Sequence, residues 1–466
     1  MALNTSNVNC VILAAGEGKR MHSTSSKVLC EVAFKPMLSW VVDAAKQSGI
    51  ETICVVASSD DVKKAAEGCV ICEQKERLGT GHAVMCANDF LTEHRDGNTL
   101  VLCGDAPFID VDTITWSLDE HIKNHNDVTV ITAVVGDPTG YGRIIRRDNM
   151  LAAIIEQSDC TEATRTICEI NSGAYWFKTE SLLKALSEIK NDNAQGEYYL
   201  TDAVSILINS GKRAGCFAAS SPYIALGANR PADLLRLNDI ASEQAIEKFL
   251  NAGVRFVKRD GIIIGPDVEI EPGAIIMPGC ILFGKTKIGE GSTIGPNSYV
   301  CDTEIGKNTV FNSSQSHDSK VGDNVKIGPF VQLRPDSIIC DDVKIGDFVE
   351  IKNSTIGRGT SVAHLTYVGD SDVGEFCNFG CGVVFVNYDG ELKNRSVIKD
   401  FAFVGCNTNI VAPVTIGKGA YTAAGVTVTK DIPDGALAIG RPELTIKEGW
   451  AANKLKKYIE KKSKLK

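Results

Sequence analysis

Short apolar runs alternate with segments of helical period over roughly the first 230 residues, the pattern of an α/β fold with a mostly parallel sheet. CVILAAG (10–16), TICVVAS (52–58), TLVLCGD (99–105) and DVTVITAVV (127–135) are predicted strands. Between the first two, residues 37–48 follow Pro36 and place Leu38, Val41, Val42 and Ala45 on one face, which predicts a helix. Ligands of open α/β sheets sit at the carboxyl ends of strands. Two of these strands end in chemistry there, one in a glycine-containing loop and one in Gly104-Asp105.

A second pattern begins at Pro231, a residue favoured at the first position of a helix. Leu234, Leu237, Ile240, Ala241, Ala245 and Phe249 fall near one face before Gly253, predicting a connecting helix of about 20 residues. The third pattern has a period of six. Ile264, Ile270, Ile276, Leu282, Ile288, Ile294 and Val300 recur without a break, and the rhythm resumes at Val321 to Ile351 and at Val404, Ile410 and Ile416. Six is neither a helical nor a two-faced strand period, so each hexapeptide is read as one short strand with its aliphatic residue inward. Three strands make a triangular coil, and residues 264–428 then build about nine coils, a prism roughly 40 Å long at the usual strand spacing. Two interruptions, near residues 313–319 and 387–399, are expected as excursions from the rod. The expected divisions are 1–231, a helical linker 232–252, and 253–466.

Composition narrows the function. The 466 residues carry a net charge of −9 and 23% charged residues, so the chain has no global basic footprint for nucleic acid, and an anionic substrate must meet local cations. No apolar stretch is long enough for a bilayer, and MALNTSNVNC lacks the pattern of a secretory signal, so a cytoplasmic protein with no membrane insertion is expected. The 16 cysteines are then reduced thiols, and Cys69-Val-Ile-Cys72, without a second pair at zinc spacing, is read as structural. The tail from residue 453, rich in lysine, is read as a solvated or frayed terminus, with anion binding as the lesser alternative.

LAAGEGKRM (13–21) follows a strand and holds Gly16 and Gly18 before Lys19 and Arg20. Exposed backbone N–H groups in such a loop can ring a phosphate, and the cations supply the charge. Lys27 is a further cation. Asp105 reads equally as a magnesium ligand or as a turn-former.

Together with LGTGHA (78–83), CGDAPF (103–108), GYGRI (140–144), EINSG (169–173) and GEYYLTD (196–202), this loop resembles the sugar-phosphate nucleotidyltransferases. With VAHLTYVGD (362–370) and NYDG (387–390), nearly the whole chain resembles the bifunctional enzymes that join N-acetylglucosamine-1-phosphate uridyltransferase to glucosamine-1-phosphate N-acetyltransferase. The resemblance implies a Rossmann-like α/β domain followed by a left-handed parallel β-helix, in a homotrimer with acetyl-transfer sites between neighbouring β-helices. It implies acetyl transfer from acetyl-CoA to glucosamine 1-phosphate, then Mg²⁺-dependent uridyl transfer from UTP to N-acetylglucosamine 1-phosphate. The product, UDP-N-acetylglucosamine, is a precursor of peptidoglycan and other cell-envelope polymers.

By motif match the nucleotide is bound by Leu13, Ala14, Ala15, Gly16, Gln74, Gly79, Thr80, Gly104 and Asp105, with Arg20 and Lys27 on its phosphates. Lys27 is expected to face a phosphate rather than a buried carboxylate. Asp105 and Asn229 would hold the metal, and Gly142, Glu156, Asn171, Tyr199 and Asn229 the sugar. His364 would be the general base, oriented or tuned by Glu350. Arg334, Lys352, Tyr367, Asn378 and Lys393 would grip the sugar phosphate, and Cys381, Asn387, Tyr388, Cys406, Ala424 and Arg441 would line the acetyl-CoA groove. Two rivals are a pyrophosphorylase whose β-helix is only structural and a non-catalytic regulator built from the same folds. His364, Lys27, Asp105 and Asn229 together favour the bifunctional enzyme.

Overall fold

The computed structural model describes residues 7–16, 26–148, 150–192, 196–441 and 443–464. The chain folds as two compact units: Met1–Glu247 with Ile264–Pro266, and Lys248–Ile263 with Asp267–Lys466.

In the first unit the central strands are buried on both faces, which explains their continuous apolar runs. Val8–Leu13 pairs in parallel with Thr52–Ala57 on one side and with Asn98–Cys103 on the other. Chain order reverses across that first strand, so the loops after Leu13 and Cys103 open at the topological switch point, where an α/β sheet presents its crevice. Alternate residues feed two cores. Ile12, Leu100 and Trp176 join Val41 and Leu118 on one face, and Val11, Val101 and Phe177 join Leu91 and Leu207 on the other. Glu169–Lys178 runs antiparallel between Asn98–Cys103 and Val128–Val134, and a bulge between Asn171 and Ala174 breaks its pairing at the EINSG motif. A bulge of this kind re-aims side chains at a strand end.

His121 is 1% exposed in this core, with Nδ1 2.9 Å from Thr129 Oγ1, and burial lowers its pKa to about 4 from 6.5. Because the unfolded chain takes up the proton first, stability is present above pH 6.5 and falls as pH drops toward 4, by about 3 kcal/mol in all. Denaturant unfolding of the first unit between those pH values should show that loss in wild type and a flatter profile in His121→Gln. Equal slopes would remove His121 as the cause.

The helix Pro231–Asn251 starts at proline, as expected, and the division between units falls within it. Leu237, Ile240 and Ala241 pack on Val32, Met37, Phe108 and Ala228. Asp233 accepts from the backbone N–H of Asn229 (3.1 Å) and of Arg230 (2.8 Å). The Arg230 guanidinium and these N–H groups hold its carboxyl below the usual range. This cap fixes Asn229 at the start of the helix.

The second unit is a left-handed parallel β-helix. Eleven strands from Arg255–Phe256 to Leu437–Ala438 form one sheet, and a second sheet wraps the remaining faces. The inward aliphatics Ile264, Ile276, Ile294, Val321, Ile351 and Val404 are all buried. Corners repeatedly use residues at positive φ, such as Asn297, Asn308, Asn324 and Asn407. Segment 313–319 is not an excursion, contrary to expectation. Gln315–His317 stacks between Tyr299–Cys301 and Gln332–Leu333, with buried Ser316 inward and its hydroxyl 2.9 Å from Thr303 Oγ1. Corners shortened by one residue disguise the rhythm there. Segment 387–395 does leave the rod, through an antiparallel bridge between Tyr388 and Lys393. The tail, expected to be solvated or frayed, forms the helix Ala452–Ser463, which is solvated along its length with no buried residue. No described helix is long and apolar enough to cross a membrane.

Candidate active sites

At the switch point a cleft of about 600 Å³ is lined by Leu13, Ala15, Gly16, Lys27, Gln74, Gly79, Thr80, Asp105 and Asn229, with Arg77 and Glu197 beside them. Ala14 and Gly104, expected to bind the nucleotide, are buried and do not line it. The Ala14 N–H donates to Val56 O and the Gly104 N–H to Leu13 O, both at 2.9 Å, and a Cβ on Gly104 would lie 3.1 Å from that carbonyl. Gly18, Lys19 and Arg20 lie outside the described residues. Arg77, not anticipated from the sequence, pins the loop by donating from Nε to Ala15 O at 3.0 Å, and the Ser58 hydroxyl donates to the same oxygen at 3.0 Å. Buried Gln74 donates to Gly79 O at 3.2 Å and lies 3.0 Å from His82 Nδ1. Gly79 has φ 106°, and a Cβ there would stand 2.5 Å from Tyr198 O, so no larger residue fits. Its neighbours zip to the GEYYLTD segment: Gly81 N–H to Tyr198 O and Tyr198 N–H to Leu78 O, both 2.7 Å, and Leu200 N–H to Thr80 Oγ1 at 3.1 Å. These bonds set Tyr199 beside Thr80.

The environment of Lys27 differs from expectation. Its ammonium is ion-paired with Asp105 Oδ2 and lies 3.3 Å from Asn229 Oδ1, the lysine and aspartate side chains being 19% and 17% exposed. The physical reason is proximity. Lys27 rises from the short helical turn Lys27–Leu29, and Asp105 follows the strand Asn98–Cys103, so a carboxylate is the nearest anion. One cationic centre thus contacts both oxygens, so Asp105 and Asn229 face the same point of the cleft. Among the described residues no cluster of three or more His, Cys, Asp or Glu side chains could hold a metal ion. One carboxylate and one carboxamide suit a magnesium ion that takes its other ligands from phosphates and water. Cys103 beside them is no nucleophile, since burial and then Asp105 push its thiol up to about 12.

A second cleft of the first unit, of about 1380 Å³, shares Thr80 and is lined by Glu156, Asn171 and Tyr199. A Cβ on Gly142 would lie 3.5 Å from Glu156 Oε2 and 3.6 Å from Asn171 Cβ, so four of the five expected sugar residues meet here. Asn229 stands instead with Lys27 and Asp105. Asn171 is held by donating to Tyr175 Oη at 2.7 Å and accepting from Gly173 N–H at 3.1 Å. Burial, with Asp159 adding, raises the Glu156 pKa against a bond from Thr201.

In the second unit the equivalent position of one corner is occupied in successive coils by Asp347, His364, Cys381, Cys406 and Ala424. Backbone bonds fix that alignment: Leu365 N–H to Asp347 O (3.2 Å), Gly382 N–H to His364 O (3.0 Å), Asn407 N–H to Cys381 O and Gly425 N–H to Cys406 O (both 2.8 Å). Four of these five were expected, one as base and three as groove walls. Both His364 (φ 63°) and Leu365 (φ 54°) adopt the left-handed conformation, which costs a non-glycine residue about 1–2 kcal/mol. Leu365 shares this conformation with Phe348 and Asn407 at the equivalent position of other coils, whereas His364 adds a second left-handed residue before it. His364 Nδ1 lies 2.8 Å from Asp347 Oδ1. Glu350 does not fill that place, because it accepts from Arg334 Nη1 at 2.8 Å. Asp347 was legible by counting one coil back from His364.

Arg334 and Lys352 share one face, where Lys352 pairs in register with Gly369 and Tyr367 with Glu350. Lys352 meets Lys393, whose ammonium lowers the Lys352 pKa, with desolvation and Arg334 adding. A cluster of like charges of this kind can receive an anion. Asn387, expected to line the acetyl-CoA groove, is 8% exposed beside this cluster, donating to Asp370 Oδ2 and lying 3.5 Å from Tyr367 Oη. Arg395, not anticipated, anchors the far end of the loop with bonds to Asp372 and to Asn353 O. Tyr388 and Arg441 are exposed. Asn378 stands on the other sheet, in register with Ser361 and Phe403.

Residues 10–192 match the MobA-like NTP transferase domain, and residues 318–353 match the bacterial transferase hexapeptide of six repeats. A curated protein from Caldanaerobacter subterraneus subsp. tengcongensis, named Bifunctional protein GlmU, is 48% identical over 458 residues, covering 96% of this chain and 98% of its own. Proteins of the same name from Thermoanaerobacter pseudethanolicus and Clostridioides difficile are 48% and 44% identical, over 96% and 98% of this chain and 98% and 100% of their own. At that identity along essentially the whole length, the chain belongs to the family of bifunctional GlmU proteins.

Proposed function

We propose that the two residue groups described above carry, one each, the two reactions of this family. As a family member the protein is a glucosamine-1-phosphate N-acetyltransferase and a UDP-N-acetylglucosamine pyrophosphorylase, so a pyrophosphorylase with a merely structural rod and a non-catalytic regulator are both excluded. In the first reaction the amine of glucosamine 1-phosphate attacks the thioester carbonyl of acetyl-CoA. A C–N bond forms, the C–S bond breaks and the thiol of CoA leaves. His364 takes the amine proton, while Arg334, Lys352 and Lys393 hold the phosphate. Cys381, Cys406 and Ala424 are small enough to admit the pantetheine arm.

In the second reaction a phosphate oxygen of N-acetylglucosamine 1-phosphate attacks the α-phosphorus of UTP, and the bond to the departing pyrophosphate breaks. Phosphoryl-type transfer asks mainly for alignment and charge neutralisation. Lys27 and Arg20 supply fixed positive charge, and Gly142, Glu156, Asn171 and Tyr199 seat the sugar. Asp105 and Asn229 would hold Mg²⁺, which when bound neutralises phosphate charge. Support for a homotrimer with sites between β-helices is that Asn378 stands on a different sheet from Lys352 and Tyr367. We place the protein in the cytoplasm, where UTP and acetyl-CoA are made.

The observation that carries the nucleotidyl site is the convergence of Lys27, Asp105 and Asn229. Lys27→Ala should lower uridyl transfer about 10²- to 10³-fold. Because it also leaves the Asp105 carboxylate without its cation, it should cost about 1–2 kcal/mol of stability. Millimolar Mg²⁺ should restore part of that loss in thermal melts. Normal uridyl transfer, with only the melting temperature lowered, would make the pair purely structural.

A further inference from the structure

We infer that Asp347 is the positioning residue of acetyl transfer: its carboxylate holds the imidazole of His364 so that Nε2, not Nδ1, is presented to the amine. This rests on the reading of His364 as the base. Three observations carry it. His364 Nδ1 lies 2.8 Å from Asp347 Oδ1, one coil below at the same corner. A carboxylate only accepts hydrogen bonds, so Nδ1 must carry the hydrogen and the lone pair of a neutral ring is left on Nε2. The backbone at the histidine is held in two consecutive left-handed residues, His364 and Leu365, and the side chain is 62% exposed. Little packing therefore restrains the ring, and a side-chain partner has to fix its plane. The alternative orienting group on the neighbouring face, Glu350, is engaged by Arg334.

The reaction needs this restraint because a base works only within hydrogen-bond reach of the proton it takes. An exposed ring free to rotate and to change tautomer spends much of its time with Nε2 protonated or turned away. Outer partners that orient a functional histidine are typically worth 10- to 100-fold. Asp347 touches neither substrate in this arrangement and acts through His364.

The test is a mutant cycle on the full-length protein, assayed for CoA-thiol release with acetyl-CoA and glucosamine 1-phosphate. Asp347→Ala should lower kcat 10- to 100-fold while KM for both substrates stays within about threefold. Uridyl transfer and the melting temperature of the variant should match wild type, which shows that it folds. In a His364→Asn background, Asp347→Ala should bring no further loss, since the group through which it acts is gone. An Asp347→Ala enzyme with kcat above half of wild type overturns the inference, as does an equal loss in both backgrounds. A His364→Asn enzyme that keeps full activity overturns the reading of the base, and that result is distinct from either.

Discussion

Asp105→Ala should lower uridyl transfer by at least about 10³-fold and leave acetyl transfer within about twofold of wild type. Asp105 is the carboxylate just beyond the strand Asn98–Cys103, and it meets Lys27 and Asn229 at one point of the cleft. Removing it takes away the full negative charge of the expected cation site, since Asn229 offers a neutral oxygen. Loss of a preorganised charge from a phosphoryl-transfer site typically costs about 10² to 10³ in kcat, and loss of the site for a metal costs more. The acetyl-transfer residues belong to the other folding unit, and their charges are set by Arg334, Glu350, Lys352 and Lys393. Asp105→Asn keeps the side-chain shape and serves as the control for folding. Pyrophosphate release and CoA-thiol release, measured on one preparation, decide the matter. If a folded Asp105→Asn protein loses both activities, the separation into two sites is wrong, and if it keeps uridyl transfer, the role given to Asp105 is wrong.

How far the sequence could be read depended on whether a residue's environment lies within its own element. The strands at 52–57 and 98–103 are continuous apolar runs because both faces are covered, and such runs need no tertiary knowledge. The inward residues at Ile264, Ile276 and Ile294 were legible for the same reason, since the coil repeats one local environment. Trouble began where corners shortened. Ser316 replaces an aliphatic residue one step early, and a hydroxyl bonded to Thr303 satisfies the interior as well as a methyl group would. The pairing of Lys27 with Asp105 spans 78 residues, and no local pattern encodes it. The choice of Asp347 over Glu350 is a different failure. Both acids precede His364 by about one coil, and only corner alignment separates them, because Glu350 has already passed onto the face where Arg334 takes it. The tail is solvated and yet helical, with Leu455, Tyr458 and Ile459 at i, i+3 and i+4 on its exposed surface.

His364→Asn should lower acetyl transfer at least about 100-fold, the ordinary contribution of a general base, and leave uridyl transfer unchanged. Asparagine is the informative replacement for two reasons. It cannot accept the amine's proton, and it tolerates the left-handed backbone at φ 63° that this corner imposes better than other non-glycine residues. The turn and the groove beside it should therefore survive, so that a loss reports on the base and not on the fold. CoA-thiol release and pyrophosphate release, measured on one preparation of the variant, decide the matter. If the variant retained near-normal acetyl transfer, His364 would only position substrate, and the proton would have to leave through a water chain.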